Sequence, residues 1–369
     1  MSRLTVQAMT DVAYRQQAPI MAIASRRQID HKEAGGGYVE NWTSAEFASS
    51  LSANDPSGLI AICRDHGGPW QQPLQWSADP VVELENALAS FRSDIDAGFN
   101  LLHIDTSKAS SGSVDIESAL DRLTLLYRGA WEHARLKGRD ISFEIGFEVQ
   151  GEEMNDPRQF QVDLNRALDG LSAAELPMPV FVVAQTGTKV VEDKNTGALV
   201  RGDRNRVLDG ISVLSALCHD ASVQLKAHNV DYLDPSEVTQ LMTAGVDAIN
   251  VAPEFGVIET RVLLQAMRDL EARDLREAFV SAAVESGRWT SWIVAGKTYD
   301  PETLAILSGH YIFSSETGKR IRSEVDRRRA EMGQPSVDIE ILDALRSSIE
   351  GYQSAAQKTT NKTEAHVNG

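Results

Sequence analysis

An α/β fold on parallel strands is what this 369-residue sequence predicts, and two observations carry the prediction. Apolar, β-rich runs recur at the spacing of βα units, each of which takes about 30 residues or more. Helical patterns fill the intervals, and such alternation implies a mostly parallel sheet with helical crossovers. Several of the runs are apolar almost throughout, as strands covered on both faces must be. No G-x-G-x-x-G follows the first strand, so an open doubly wound sheet is the weaker architecture. A TIM (β/α)8 barrel with a C-terminal helical extension is the expected one.

The elements follow in order. The first strand is IMAIAS (20–25), after which Thr43 to Glu46 has capping-box spacing ahead of AEFASSL. LIAICR (59–64) is the second strand, followed by a helical run, VVELENALASFRSDIDAG, that stops at Gly98. LLHIDT (101–106) leads into VDIESALDRLTLLYRGAWEHARLKG, which stops at Gly138. FEIGFEV (143–149) and VFVVAQ (180–185) are the fourth and fifth strands. NRVLDGISVLSALCHD then precedes VQLKAH (223–228), and DPSEVTQLMTAG precedes AINVAP (248–253). GVIETRVLLQAMRDLEARD separates these from the weakest strand candidate, GHYIFS (309–314). Past Trp292 the pattern loosens. A cation-rich helix around 316–332 reads as a solvated face, and SAAQKTTNKTEAHVNG has no periodicity and reads as disordered. The expected organisation is an N-terminal extension (1–18), a barrel (19–332) and a C-terminal extension (333–369).

Composition narrows the function. With 53 acidic and 36 basic residues the formal charge is −17, which argues against nucleic acid and anionic membranes as partners. No apolar run approaches the ~20 residues that span a bilayer. The start, MSRLTVQAMTDVAYRQQ, has no apolar h-region. Cys63 and Cys218 both lie in apolar stretches and read as buried thiols in a reducing cytoplasm. A cytoplasmic protein, expected as a homo-oligomer, is the resulting picture.

Chemistry gathers at the strand ends. LIAICRDHGGPW delivers Asp65 and His66 to the tip of a buried strand beside a permissive turn, and barrel chemistry sits at such tips. His228 returns at a similar position in LKAHNVDY. Between them lies Glu148 in FEIGFEV. Two imidazoles and a carboxylate from three strands can hold a divalent metal. Glu144 and Glu148 share a strand face, but Glu148 reaches the tip and is the preferred ligand, with Glu152 or Glu153 as substitutes. Gln185 could complete the shell through its amide oxygen, or simply hydrogen-bond within the barrel. Asp65 would orient a substrate hydroxyl or move its proton. His103 and Asp105 alternate about Ile104 and point the same way; either they form a structural pair, or they handle the substrate. Ser107 and Lys108 follow in a loop that leads to a helix start and could hold an oxyanion. Lys226, two residues before His228, could form a Schiff base if desolvated, or merely neutralise carboxylates. Asn250 and Glu254 are candidate hydroxyl contacts at the seventh tip, and Arg320 and Arg322 candidate phosphate contacts. Each Asp, His or Glu could instead cap a turn or face solvent.

Taken together, GGGYVENWTSAEF (35–47), RDHGGPW (64–70), AGFNLLHIDTS (97–107), IGFEVQGEE (145–153) and KAHNVDY (226–232) resemble a known family. It is the non-catalytic (accessory) subunit family of class II tagatose-bisphosphate aldolase, related to metal-dependent class II ketose-bisphosphate aldolases and ketose-phosphate 4-epimerases. The resemblance runs from about Gln28 to Arg322. It implies a TIM barrel, sugar-phosphate chemistry and a divalent ion, Zn²⁺ first with Mn²⁺ or Fe²⁺ as alternatives. Three departures stand out. Catalytic relatives carry a further metal-binding His after the fifth strand, where this chain reads AQTGTK with Gln185. They have a Gly-rich phosphate loop after the His of strand six, where this chain has Asn-Val-Asp. Accessory subunits usually have an acidic residue before Ala227, where this chain has Lys226.

The expected activity is retro-aldol cleavage of a ketose or ketose phosphate between C3 and C4, with Asp65 taking the C4 hydroxyl proton. Readdition to the other face of the aldehyde would make the same site a 4-epimerase. A non-catalytic subunit that stabilises a partner aldolase, and a Schiff-base aldolase using Lys226, are the alternatives.

Overall fold

In the computed structural model, which describes residues 2–110, 114–146 and 151–357, seven parallel strands form one curled sheet. They are β1 (Ile20–Ser25), β2 (Ile60–Asp65), β3 (Leu101–Asp105), β4 (Ser142–Gly146) and β5 (Phe181–Ala184). A two-stranded antiparallel hairpin, β6 (Val190–Val191) and β7 (Lys194–Asn195), interrupts them before β8 (Gln224–Ala227) and β9 (Ala248–Ile249). The order in the sheet is the order in the chain, β1-β2-β3-β4-β5-β8-β9. That is the topology of consecutive βα units.

The crossovers begin with α1 (Arg3–Gln16), α2 (Ser44–Asn54), α3 (Pro80–Ala97), α4 (Ile116–Leu136) and α5 (Pro157–Ala173). They continue with α6 (Ala198–Arg201), α7 (Arg204–Asp220), α8 (Pro235–Thr243) and α9 (Pro253–Asp269). Their termini obey local chemistry. Thr43 and Glu46 form the reciprocal capping box at α2. Gly98, at φ 96°, closes α3 in the left-handed region that only glycine enters freely. Asp234 and Glu237 cap α8 the same way as the α2 pair.

Closure of the cylinder differs from expectation. Among the described residues no strand joins β9 to β1, and GHYIFS is not a strand. Gly309–Tyr311 is a 3-10 turn between α11 (Pro301–Ser308), which follows α10 (Arg273–Glu285), and α12 (Glu316–Glu331). Two contacts explain this. His310 is buried so tightly against α9 that a Cβ on Gly256 would come within 2.6 Å of its ring, and the Tyr311 ring lies tilted against it with centroids 4.1 Å apart. An extended segment could not place both rings there. The seam between β9 and β1 is covered from outside by α1 and by α13 (Val337–Gln357). The cavity left there is lined by Ile20, Met21, Ile249, Phe255, Ile349 and Tyr352. Thus the C-terminal extension is helical through Gln357, and the remaining polar tail lies outside the described residues. No helix among the described residues is long and apolar enough to cross a membrane.

Strand alternation sorts the side chains. On β2, Arg64 points outward to the helices, fully buried, and donates two hydrogen bonds to Asp94 of α3 at 2.6 and 2.7 Å. Its remaining donors reach the carbonyls of Ala24 and Ile29. An ion pair buried this completely is tolerated because every donor is used. On the other, concave face lie Cys63 and Asp65, His103 and Asp105, Glu144, and Lys226. A row of polar groups inside a sheet is costly unless the groups satisfy one another. Both cysteines are buried and free.

Candidate metal centre and cleft

The floor of the site is set by register. His103 of β3 stands opposite Glu144 of β4, and β5 separates β4 from β8, which carries Lys226. Just past the strand ends come His66 and His228. The three imidazoles 66, 103 and 228 form a near-equilateral triangle, with ring centroids 5.3 to 5.5 Å apart. The convergence of His66 and His228 expected from the sequence is therefore present, and His103 joins it.

Backbone strain holds this triangle. His66 has φ 43° and Asn229, directly after His228, has φ 57°. Left-handed non-glycine residues cost free energy and concentrate where geometry matters more than stability. The turn after His66 also needs glycine: a Cβ on Gly68 would lie 1.6 Å from the carbonyl oxygen of Asp105. That close approach lets His66 reach over β3, where its Nδ1 bonds Asp105 Oδ2 at 2.6 Å. A carboxylate on one ring nitrogen is what fixes the other nitrogen toward an ion.

Ligand atoms of Asp65, His103, Glu144 and His228 all lie within 4.8 Å of one another. Glu144 divides its two oxygens. Oε2 accepts from the Lys226 ammonium at 2.6 Å, and Oε1 lies 3.3 Å from His228 Nε2 and 3.4 Å from His103 Nδ1. Asp65 divides its own: Oδ1 is 3.7 Å from His103 Nδ1 and 3.9 Å from His228 Nε2, and Oδ2 is 3.9 Å from His66 Nε2.

Electrostatics supports a cation there. Burial alone would raise both buried carboxyls, yet the imidazoles, His66 foremost, hold Asp65 well below the usual range. Lys226, with His103 and His228, holds Glu144 down to about 2. His66, despite burial, is raised to about 9 by Asp65 and Asp105. Three ionised carboxylates (Asp65, Asp105, Glu144) face the Lys226 ammonium and the His66 imidazolium, so the cluster calls for two more positive charges only once His66 gives up its proton. A divalent ion supplies that charge with donors suited to it: neutral imidazoles and carboxylates serve Zn²⁺, Mn²⁺ and Fe²⁺.

The remaining expected residues fall into separate places. Glu148 lies outside the described residues, and Glu144 takes the carboxylate position beside His228. Gln185 is buried, but its amide oxygen accepts from the N–H groups of Gly187 and Thr188 and its amide nitrogen donates to Gly151. Its oxygen is engaged by its own loop and its nitrogen by the loop after β4, so both ends are hydrogen-bonded away from the donor cluster. Lys226 is buried beneath Glu144 and raised above its ordinary pKa, because Glu144 outweighs burial. A protonated lysine off the cleft wall is a poor Schiff-base nucleophile, so it acts as a counter-ion. Glu254 accepts from the Tyr232 N–H and from the hydroxyls of Tyr352 and Ser348, tying α9 to α13. His103 faces the donor cluster, not the cleft. Asn250 donates to Asp65 Oδ1 at 3.3 Å, and Ser107 donates to Asp105. Glu152 pairs with Lys189 and Arg201 at the surface, and Arg322 pairs with Glu259 and Asp338 among α9, α12 and α13.

Above the cluster opens a cleft. Asp65, His66, His228 and Asn250 line its base, Arg27 and Lys108 one side, and Asp231 another. Val190 of β6 and Trp292 also line it. There Glu192, in the turn between β6 and β7, donates its N–H to the Trp292 carbonyl at 2.6 Å. Its carboxylate accepts from Lys297 and Tyr299. Sequence reasoning weighed Glu144 and set it aside for Glu148, although its alternation with the fourth-strand apolar residues marks it as facing inward. Asp231 and Glu192 carry no comparable signal, since both lie in irregular chain.

No protein-family model and no curated protein matches the chain. Solved structures do resemble it. A probable tagatose 6 phosphate kinase from Sinorhizobium meliloti superposes with TM-score 0.77 at 19% identity, over 96% of this chain and 97% of that one. The fructuronate-tagaturonate epimerase UxaE from Cohnella laeviribosi gives TM-score 0.57 at 13% identity, over 96% and 80%. A fructose-bisphosphate aldolase from Campylobacter jejuni gives 0.51 at 12%, over 95% and 87%. At such identities the likeness establishes the fold.

Proposed function

We propose that the chain is a divalent-metal-dependent lyase or epimerase that acts on a ketose by retro-aldol chemistry between C3 and C4. One observation carries this: four side chains with ligand atoms, from four different strands, converge within 4.8 Å at the base of a cleft. His228, Glu144, His103 and Asp65 would hold the ion, with His66 closing the shell from the cleft side. The ion would supply Lewis-acid polarisation of the ketose carbonyl. The names of two fold neighbours, an epimerase and a fructose-bisphosphate aldolase, are consistent with this chemistry.

The protein's own groups do the rest. Asp65 Oδ2, on the His66 side, takes the proton of the C4 hydroxyl. The C4–O electrons become the aldehyde carbonyl as the C3–C4 bond breaks, and that bond pair moves onto C3 and C2 as an enediolate. Asn250 keeps the other oxygen of Asp65 turned away. Asp105 fixes the His66 ring. Lys226 keeps Glu144 ionised and oriented.

Whether the aldehyde leaves or returns depends on the mouth of the cleft. Glu192 ties the β6–β7 hairpin to the Trp292 segment that lines the cleft, and this tie favours readdition, hence 4-epimerisation, over release. The test is a panel of ketoses and ketose phosphates followed for released aldehyde and for the 4-epimer. Asp65→Asn, folded and metal-loaded, should lose turnover by roughly 10²–10⁴-fold. Full activity in that variant would remove Asp65 as the base.

A further inference from the structure

The side of the cleft formed by the loops after β1 and β3 carries two cations with no ion-pair partner among the described residues. Arg27 follows β1, Lys108 follows β3, and the tip of β2 with Asp65 and His66 lies between those strands. The chain has 53 acidic residues for 36 basic ones, and most of its buried cations are paired. Among the described residues neither the exposed Arg27 nor the half-buried Lys108 makes an ion pair. They are close enough to repel: burial, and then Arg27, push the Lys108 ammonium down to about 8, against the pull of Asp105. Asp105 cannot serve as their counter-ion, because His66, Gln71 and Ser107 already occupy its oxygens.

Neutral donors surround the same spot. Tyr38 and Tyr311 line the cleft beside Arg27, their rings 4.6 Å apart. The Tyr311 oxygen accepts from the Trp292 indole at 3.2 Å, which leaves its own proton free to donate. Burial raises both phenols, so they remain protonated donors. A guanidinium, an ammonium and two phenol protons lining one cleft favour anionic oxygens.

We propose that Arg27 and Lys108 bind an anionic terminal group of the substrate, a phosphate or a carboxylate, and so select charged ketoses over neutral ones. The proposal rests on the retro-aldol reading for what the rest of the substrate is. It places the charged end at the loops of β1 and β3, whereas class II aldolases use a Gly-rich loop after the strand-six His that this chain lacks. Holding the charged end here presents the sugar's other carbons to Asp65 and His66 next door.

The experiment uses the metal-loaded chain and calorimetric titration with inorganic phosphate in one arm and glycolate in the other. Wild type, Arg27→Gln, Lys108→Gln and His228→Ala are compared, and metal content is measured on each. The expected result is that either cation substitution weakens one of the two anions about tenfold or more, as loss of a charge-assisted hydrogen bond should, with metal content unchanged. The arm affected names the group: phosphate points to sugar phosphates, glycolate to sugar acids. Anion affinity lost in His228→Ala but unchanged in both cation variants would overturn the proposal, since the anion would then sit on the ion. No binding of either anion to wild type would also overturn it. The two readings fail separately. A metal-free, inactive wild type that still loses anion binding on Arg27→Gln would sink the retro-aldol reaction and leave this subsite standing.

Discussion

Glu144 shows how much one side chain must do in a buried site. Its two oxygens face opposite ways, one to Lys226 and one to the imidazoles, and either arrangement alone would leave a charge uncompensated. The sequence makes its inward direction legible, because strand alternation puts Glu144 on the face of its neighbour His103. Its depth is not legible: only the β3–β4 register shows that the donors meet below the strand tips. Asp231 is the other residue whose environment is informative. Burial, reinforced by Glu254, raises its carboxyl to about 7, although the N–H groups of Ala252 and Glu254 bond one oxygen. The folded state therefore holds a proton that the unfolded chain releases near its ordinary value of 3.8. Between that pH and about 7 the folded form binds more protons, so stability falls as pH rises. Asp231→Asn should melt higher than wild type at pH 8, with the gap shrinking toward pH 5. A gap that does not vary with pH would mean the carboxyl titrates normally.

At the scale of elements, helices with local signals were readable. Thr43 with Glu46, and Gly98 after a long amphipathic run, mark ends that the structure confirms within a residue or two. The β6–β7 hairpin was not readable, because each strand is two residues long and its position depends on Trp292, Lys297 and Tyr299, a hundred residues away. Glu192→Ala removes the carboxylate's bonds to Lys297 and Tyr299, leaving only the backbone bond to Trp292, without touching the donor cluster. We expect the variant to turn over substrate while releasing more aldehyde per epimer formed, by several-fold, in a trapping assay. An unchanged ratio would mean that the hairpin does not retain the intermediate.

For the molecule as a whole, alternating strands and helices predicted parallel consecutive βα units correctly, and predicted one strand too many. What completes the wall is helical: α1 from the beginning of the chain and α13 from its end, held by Arg15 on Glu350 and Arg346 on Asp11. No local pattern announces that two segments more than 300 residues apart will cover one seam. The polar network of Tyr352, Tyr232 and Glu254 pins α13 to the strand-end loops. Tyr352→Ala should therefore cost about 3–5 kcal/mol, as large aromatic truncations do, in a urea denaturation series. A loss under about 1 kcal/mol would show that α13 is an ornament on a sheet stable without it.

The concave polar row, the strained His66 turn and the charge deficit of the cluster all converge on a bound cation. Elemental analysis of the purified chain, alongside His228→Ala and Glu144→Gln, addresses this most directly. The account predicts about one tightly held divalent transition-metal ion per wild-type chain, by the donor chemistry of imidazole and carboxylate, and a loss of tenfold or more in affinity in each variant. A wild-type chain that carries no such ion, takes none up on dialysis against Zn²⁺, Mn²⁺ or Fe²⁺, and turns over a ketose regardless would contradict it.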